Sequence, residues 1–164
     1  MTRELQEKLE SYQRVWAEVD LDAIWENMVH MKENIAEKTK ILAVIKTDGY
    51  GHGGVPIAKM LEQLDFMFGY AAATYEEAHV LREAGVKKPI LILGYTFPYC
   101  YEELIREEIR PAVYRRDTVE ELVAAAAKVG QKAKVHIKVD TGMGRIGITP
   151  DEEGLEFVRF LMGH

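Results

Sequence analysis

The sequence has a single cysteine, Cys100, and no run of apolar residues long enough to cross a membrane. One cysteine excludes an internal disulfide and favours a reducing compartment. Its nearest histidine in sequence is His79, so we interpret Cys100 as an ordinary loop residue. The first residues, MTRELQEKLESYQ, are polar and lack the apolar core of a signal peptide. These absences predict a cytoplasmic protein that does not act in a membrane.

The sequence also lacks an excess of basic residues. Its 21 Lys and Arg face 27 Asp and Glu, which gives a net charge of -6, and no basic cluster is interleaved with aromatic residues. Nucleic acids and anionic membranes are therefore excluded as expected partners. No histidines or cysteines are spaced as metal ligands, so no metal is predicted. With 164 residues and 48% hydrophobic content, the chain is expected to form one globular domain.

The most informative stretch that is present is ILAVIKTDGYGHGG, residues 41–54. Its apolar run predicts a strand over 41–46 that is buried on both faces, as in a parallel sheet. Lys46 ends this strand, and α/β sheets bind their ligands at that end. Apolar surroundings disfavour the charged form of a lysine and so lower its pKa. A neutral amine at position 46 would be a nucleophile, and its usual use is a Schiff base with a carbonyl compound. The alternative is a lysine that simply extends into solvent.

A glycine-rich turn follows Lys46 directly. Four of the six residues in 49–54 are glycines, which permit positive φ and close approach of a ligand. Tyr50 adds a phenol, and His52 is expected to hold the turn by a hydrogen bond. The turn is neither a Walker loop nor a GxGxxG fingerprint. Glycine density alone is therefore a weak indication of a phosphate site.

A second pattern lies in the strand predicted over 132–139. Val135, Ile137 and Val139 alternate with His136, Lys138 and Asp140, so we expect the apolar set to face outward and the polar set inward. Lys138 would then share a cavity with Lys46, and its charge needs compensation, for which an ion pair with Asp140 or another buried acid is the favoured interpretation. Arg145, in the next glycine-rich turn, suits bidentate binding of a carboxylate, the alternative being a surface salt bridge.

Strands and helices alternate along the whole chain. Strands are predicted over 15–19, 41–46, 66–72, 90–93, 110–113 and 132–139. Helices are predicted from Asp20 or Asp22 to Ile35, over 55–64, from Thr74 to Ala84, over 101–108, from Asp117 or Thr118 to Val129, and after Pro150. This order predicts an α/β fold with a parallel sheet. A complete eight-stranded barrel needs about 200 residues or more, so the chain is too short to close one.

Three blocks of the sequence, in the same order, resemble the alanine racemase family. They are WAEVDLDAIWENM (16–28), AVIKTDGYGHG (43–53) and HIKVDTGMGRIG (136–147). The second resembles the family's cofactor-lysine motif V-K-A-N-A-Y-G-H-G, and the third its H-x-K-x-D-T-G-M-G-R-x-G block. Thr47, Asp48 and Gly49 depart from the commoner Ala, Asn and Ala, and Asp48 places a charge two residues from the lysine.

The resemblance implies an α/β barrel followed by a β-rich domain, with the strand over 15–19 lying with that second domain. On this basis residues 1–164 form the amino-terminal portion of a TIM-type (β/α) barrel, with about five of the eight parallel barrel strands, and the chain is a fragment. Two open sheet edges predict self-association or dependence on a partner piece.

The resemblance also implies the chemistry. Lys46 binds pyridoxal 5'-phosphate and acts as catalytic acid and base, Tyr50 binds the cofactor phosphate, and Arg145 lies near the substrate carboxylate. Lys138 is commonly carbamylated in the family and then hydrogen-bonds Arg145. The reaction is interconversion of L- and D-alanine for cell-wall precursors. The opposite base is a tyrosine from the second domain of the other subunit of a homodimer, so the fragment alone is expected to be inactive.

Three alternatives stay open at this point. A serine or broad-specificity racemase is the nearest one, because the residues that select the substrate side chain are mostly outside this sequence. A pyridoxal-phosphate-binding homeostasis protein on the same barrel type lacks the DTGMGR block. A non-enzymatic association module would form no borohydride-reducible adduct at Lys46.

Overall fold

The computed structural model describes residues 2–12 and 15–164, as an alternation of strands and helices. The helices are α1 (Arg3–Ser11), α2 (Leu21–Glu33), α3 (Lys46–Tyr50), α4 (Gly54–Leu61), α5 (Tyr75–Glu83), α6 (Tyr101–Arg106), α7 (Arg116–Val129) and α8 (Glu152–Met162). The strands are β1 (Ile41–Val44), β2 (Met67–Ala72), β3 (Ile90–Ile92), β4 (Ile109–Val113) and β5 (His136–Ile137), and a 3₁₀ turn spans Pro98–Cys100. In these ranges no helix is long and apolar enough to cross a membrane.

The five strands form one parallel sheet in the order β1-β2-β3-β4-β5. Each strand lies beside the next one in the chain, and a helical segment connects them. This is the progression of a (β/α) barrel, and the curved sheet makes a half-barrel. The predicted fold, a partial TIM-type barrel with about five parallel strands, is confirmed.

The hydrophobic core lies between the outer face of the sheet and the helices. Fully buried strand residues such as Tyr70, Ile90, Ile92 and Ile109 pack against the helices that cover them. Burial of each large apolar side chain contributes roughly 1.5–3 kcal/mol. The phenol of Tyr70 donates to the carbonyl of Ala58, 2.8 Å away, which satisfies the polar atom that the core encloses.

Local signals set several helix ends where the sequence predicted them. Asp20 caps α2 by accepting from the backbone N–H of Ala23 at 3.0 Å, and Thr74 caps α5 by accepting from Glu77. Gly130 ends α7 with a left-handed φ of 72°. The last helix begins two residues after the predicted Pro150, where Asp151 accepts from the N–H of Gly154.

Two predicted strands are absent or much shorter in the structure. Residues 15–19 form no strand, and Val15 and Trp16 are exposed. The segment precedes α2 and has no strand partner in the described part of the chain, so its β-branched residues have nothing to pair with. The strand predicted over 132–139 is reduced to His136–Ile137, because β5 pairs on one side only, with β4.

Candidate active site

The turn after β1 has an unusual backbone. The strand ends at Val44 rather than at the predicted position 46, and Lys46 opens α3. Thr47, Asp48 and Tyr50 have φ of 54°, 50° and 58°. The N–H of Gly49 donates to the carbonyl of Ile45 at 2.9 Å, so the segment is one turn of left-handed helix. We call α3, Lys46–Tyr50, the lysine turn.

Side chains of the segment hold this turn. The Asp48 carboxylate accepts from the N–H of Gly54 at 2.7 Å, at the positive end of α4. The charge noted two residues from the lysine is therefore directed at a helix N-terminus. Nδ1 of His52 lies 3.1 Å from the carbonyl of Gly49 and 3.2 Å from that of Tyr50. The prediction that His52 holds the turn is confirmed.

The lysine turn brings Lys46 and Tyr50 together. Nζ of Lys46 lies 5.8 Å from the centroid of the Tyr50 ring. Ile45 is buried in the core, whereas Lys46 is half-buried and Val44 is 43% exposed. The inner face of the half-barrel is open here, so the expected apolar surroundings of the amine are present only on the core side of β1. Tyr50 is 60% exposed, and both residues, Lys46 and Tyr50, follow the carboxyl end of β1.

Glu77, in the first turn of α5, takes part in the site. One carboxylate oxygen accepts from the N–H of Thr47 at 2.9 Å, and the other accepts from the N–H of Ala73 at 2.8 Å. The carboxylate therefore joins the lysine turn to the end of β2. The Thr74–Glu77 spacing signalled the helix start, but nothing in it indicated the distant acceptor role.

A second turn follows β5. The N–H of Ile148 donates to the carbonyl of Lys138 at 2.9 Å, and the N–H of Asp140 donates to Ile148 at 2.8 Å, which closes a loop over 140–147. We call residues 140–147 the arginine turn. The Asp140 carboxylate accepts from the N–H groups of Gly142 and Gly144 at 2.9 and 3.0 Å. These backbone donors, Gly144 first, lower the pKa of Asp140.

The two cations of this region, Lys138 and Arg145, have no ion-pair partner in the described part of the chain. Lys138 is partly buried and Arg145 is exposed, and neither forms an ion pair or side-chain hydrogen bond within residues 2–12 and 15–164. The expected ion pair of Lys138 with Asp140 is wrong, since backbone donors occupy the Asp140 carboxylate. The surface salt bridge considered for Arg145 is also not formed there. Met143, at 79% exposure, does not pack at the site.

The inner face of the sheet carries a polar and aromatic layer. The guanidinium of Arg110 lies 5.5 Å from the ring centroid of Phe68, and the His136 ring meets the same ring edge-on at 6.3 Å. Desolvation, together with the charge of Arg110, lowers the pKa of His136. The inward orientation predicted for His136 is thus confirmed. Sequence reasoning did not identify Arg110 as part of this layer, because the remaining residues of its predicted strand, 111–113, are all apolar.

Other reactive groups lie away from these turns. Cys100 is buried and its thiol donates to the carbonyl of Phe97. Burial raises the pKa of Cys100 to about 11, so the thiol is a poor nucleophile, in agreement with its interpretation as an ordinary residue. Across the two described ranges, no three His, Cys, Asp or Glu side chains are arranged to hold a metal ion.

The sequence matches known families and proteins over nearly its whole length. The model of the alanine racemase N-terminal domain matches residues 19–164. Alanine racemase 1 of Oceanobacillus iheyensis is 42% identical over 155 residues, which are 94% of this chain and 41% of the relative. An alanine racemase of Clostridium perfringens is 49% identical over 144 residues, 88% of this chain and 37% of the relative.

The fold is similar to solved structures as well. The structure of alanine racemase from Clostridium difficile 630 in complex with cycloserine superposes with a TM-score of 0.88 at 39% identity. The match covers 92% of this chain and 41% of that one. The chain therefore spans about two fifths of the length of the proteins it matches.

Proposed function

The chain belongs to the alanine racemase family, in the part described by its N-terminal domain, and on that premise we propose that it carries the cofactor-lysine side of an alanine racemase site. The whole protein would interconvert L- and D-alanine for cell-wall precursors. In this proposal residues 1–164 are the amino-terminal portion of the barrel domain. The protein works as a cytoplasmic homodimer on a small amino acid.

The observation that carries the proposal is the pairing of Lys46 with Tyr50 in the lysine turn. A primary amine and a phenol lie together at the carboxyl end of a parallel strand, with Nζ 5.8 Å from the ring centroid. This donor set fits pyridoxal 5'-phosphate, since the amine suits its aldehyde and the phenol suits a phosphate oxygen. We propose Lys46 and Tyr50 as the residues that hold the cofactor.

When bound, pyridoxal phosphate supplies an electron sink that acidifies the α-proton of an amino acid. Lys46 would hold and move a proton at the α-carbon of the substrate, on one face. Arg145 binds the substrate carboxylate, for which its exposed guanidinium, unpaired within the described residues, is suited. Lys138 would serve in its carbamylated form, as an anion that orients Arg145.

Trapping with borohydride tests the role of Lys46. The amine and the aldehyde condense with loss of water, and borohydride reduces the adduct to a stable secondary amine that peptide mass mapping locates. We expect the label mainly on Lys46, and we expect Lys46→Arg to remove it. Lys59→Arg, which changes an exposed lysine of α4, is the matched control and should leave the label in place. Equal labelling of many lysines would refute the assignment.

Competition by alanine tests the substrate. Alanine should lower the Lys46 label, because its amine takes over the aldehyde before borohydride is added. Arg145→Ala should require roughly tenfold more alanine for the same decrease, since a charge-assisted contact to the carboxylate is lost. Serine at equal concentration tests the rival specificity. Competition that is unchanged in Arg145→Ala would contradict the role of Arg145.

A further inference from the structure

One carboxylate lies between the ends of two neighbouring strands. Glu77 stands in the first turn of α5, and its two oxygens accept from different segments of backbone. One accepts from Thr47 in the lysine turn at 2.9 Å, and the other from Ala73, directly after β2, at 2.8 Å. In the described chain, the other side-chain hydrogen bonds to residues 46–54 come from within that segment. The bond that Glu77 accepts from Thr47 is the one that joins it to the next strand-helix unit.

The lysine turn needs such support, because its backbone is strained. A left-handed conformation costs about 1–2 kcal/mol per residue that is not glycine. Thr47 is β-branched and has a φ of 54°, which is rare for such a residue. Conformations of this kind persist only where surrounding contacts over-determine them. Asp48 and His52 fix the internal shape of the turn, but their bonds stay within residues 45–54.

Packing beneath the turn does not replace the missing constraint. A cavity of about 250 Å³ separates the turn from α5, and its lining includes Ile45, Ala72, Glu77 and Leu81. The N–H of Ile45 donates to the carbonyl of Ala71 in β2 at 2.9 Å, so this space leaves room only for the residues after that bond to shift. Glu77 is part of the lining, and its carboxylate bonds Thr47 and Ala73.

We propose that Glu77 is a positioning residue that directs the amine of Lys46. This inference rests on the proposed function, in which Lys46 is the cofactor lysine. The peptide between Lys46 and Thr47 is planar, so holding the Thr47 N–H fixes the rotation of the main chain at Lys46. The same carboxylate ties that peptide to the end of β2. Glu77 thereby sets the direction in which the Lys46 side chain leaves the strand.

Glu77→Gln is the sharpest variant. Its amide has one acceptor oxygen, so either Thr47 or Ala73 loses its partner and then faces an NH₂ group. We expect Lys46 to lose roughly tenfold in its rate of borohydride-trapped labelling by pyridoxal phosphate, relative to exposed lysines of the same chain. Glu76→Gln is the matched control, since Glu76 bonds Tyr99 and does not touch the turn. It should leave the labelling ratio unchanged.

A variant that only loosens the helix separates positioning from general destabilisation. Val86→Ala trims a buried residue just after the same helix, and Val86 is not part of the lining of that cavity. We expect it to lower the denaturation midpoint and to keep the selectivity for Lys46. If Glu77→Gln and Val86→Ala lose selectivity in proportion to their loss of stability, the positioning role is refuted.

Amide hydrogen exchange provides a readout without cofactor. In the unsubstituted chain the Thr47 and Ala73 amides should exchange slowly, and in Glu77→Gln at least one should exchange faster while core strands stay protected. Fast exchange of Thr47 in the unsubstituted chain would overturn the inference even if Glu77→Gln failed to fold. Slow exchange combined with unselective lysine labelling would instead refute the proposed function.

Discussion

The lysine turn and the arginine turn both follow strands of the same sheet, but they are held in different ways. The lysine turn is bonded to α4 through Asp48 and to the α5 unit through Glu77. The arginine turn is bonded within its own segment, through Asp140 and the pairing of Ile148 with Lys138. Its functional candidate, Arg145, is exposed.

Because of this difference, the position of the lysine turn relative to the sheet is fixed, whereas for the arginine turn only its internal shape is fixed. Contacts to neighbouring units fix where the lysine turn lies relative to the sheet, so its amine is positioned within this chain. Contacts inside a loop fix the shape of the arginine turn, while the direction of Arg145 is set by fewer constraints. We therefore expect changes in the lysine turn to affect neighbouring helices and changes in the arginine turn to stay local.

The largest effect is expected where the shape of the arginine turn depends on backbone contact. Gly147 has a φ of 136°, and a Cβ there would lie 2.6 Å from the N of Asp140. Gly147→Ala should lower the free energy of unfolding by roughly 2–4 kcal/mol in urea denaturation.

Gly144→Ala is the control for that change. Gly144 has a φ of 69°, but a Cβ there meets no atom within 4 Å. Its cost should be about 1 kcal/mol, from the left-handed backbone alone. Equal costs for the two variants would mean that the close approach at Gly147 does not hold the turn closed.

The next effect concerns the connection of the lysine turn to α4. Asp48→Ala removes the acceptor for the N–H of Gly54 and should cost about 1 kcal/mol in the same measurement. Asp48→Asn keeps an acceptor oxygen and should cost less. If the alanine variant unfolds at the unaltered urea midpoint, the link between the turn and α4 contributes nothing to stability.

A smaller effect should appear in the pH dependence of stability. Backbone N–H groups lower the pKa of Asp140 from its ordinary value of 3.8, so the folded state favours the carboxylate. The stabilisation is present above pH 3.8 and is lost as the pH falls through the lower pKa of the folded state. The difference in unfolding free energy between the unsubstituted chain and Asp140→Asn should therefore shrink on acidification. If this difference in unfolding free energy grows below pH 3.8, the pKa of Asp140 is raised by folding rather than lowered.

The smallest effect is expected at the tip of the arginine turn. Met143 is 79% exposed, so Met143→Ala should change the free energy of unfolding by less than about 0.5 kcal/mol. A larger loss would show that the side chain packs after all, and that the arginine turn is less separate from the rest of the molecule than its hydrogen bonds indicate.

Much of the fold was readable from local patterns. The apolar runs at 66–72 and 90–93 predicted β2 and β3 within a residue, because residues buried on both faces of a sheet must be almost continuously apolar. Thr74 and Gly130 marked helix ends through their own backbone and side-chain chemistry. The strand over 15–19 failed for the converse reason, since a strand needs a partner that its own sequence cannot supply.

The site divides in the same way. Sequence motifs placed Lys46, Tyr50, Lys138 and Arg145 at the ends of strands, and the structure brings Lys46 and Tyr50 together. Their catalytic and binding roles stay predictions. The sequence did not single out Glu77, because its partner Thr47 lies 30 residues away and a glutamate is common in the first turn of a helix.

The amino-acid sequence alone determined most of the strands and helices, the parallel arrangement of the sheet, and which polar residues stand at the ends of strands. Burial, side-chain alternation and capping act over a few residues and leave their pattern in the chain. Tertiary structure alone decided that the lysine turn is left-handed, that a carboxylate from the next unit holds it, and that Asp140 is occupied by backbone donors rather than by Lys138. These outcomes depend on which groups meet after the chain has folded. Glu77 and Thr47, 30 residues apart, carry no local trace of their pairing, and for Asp140 the sequence left several partners possible.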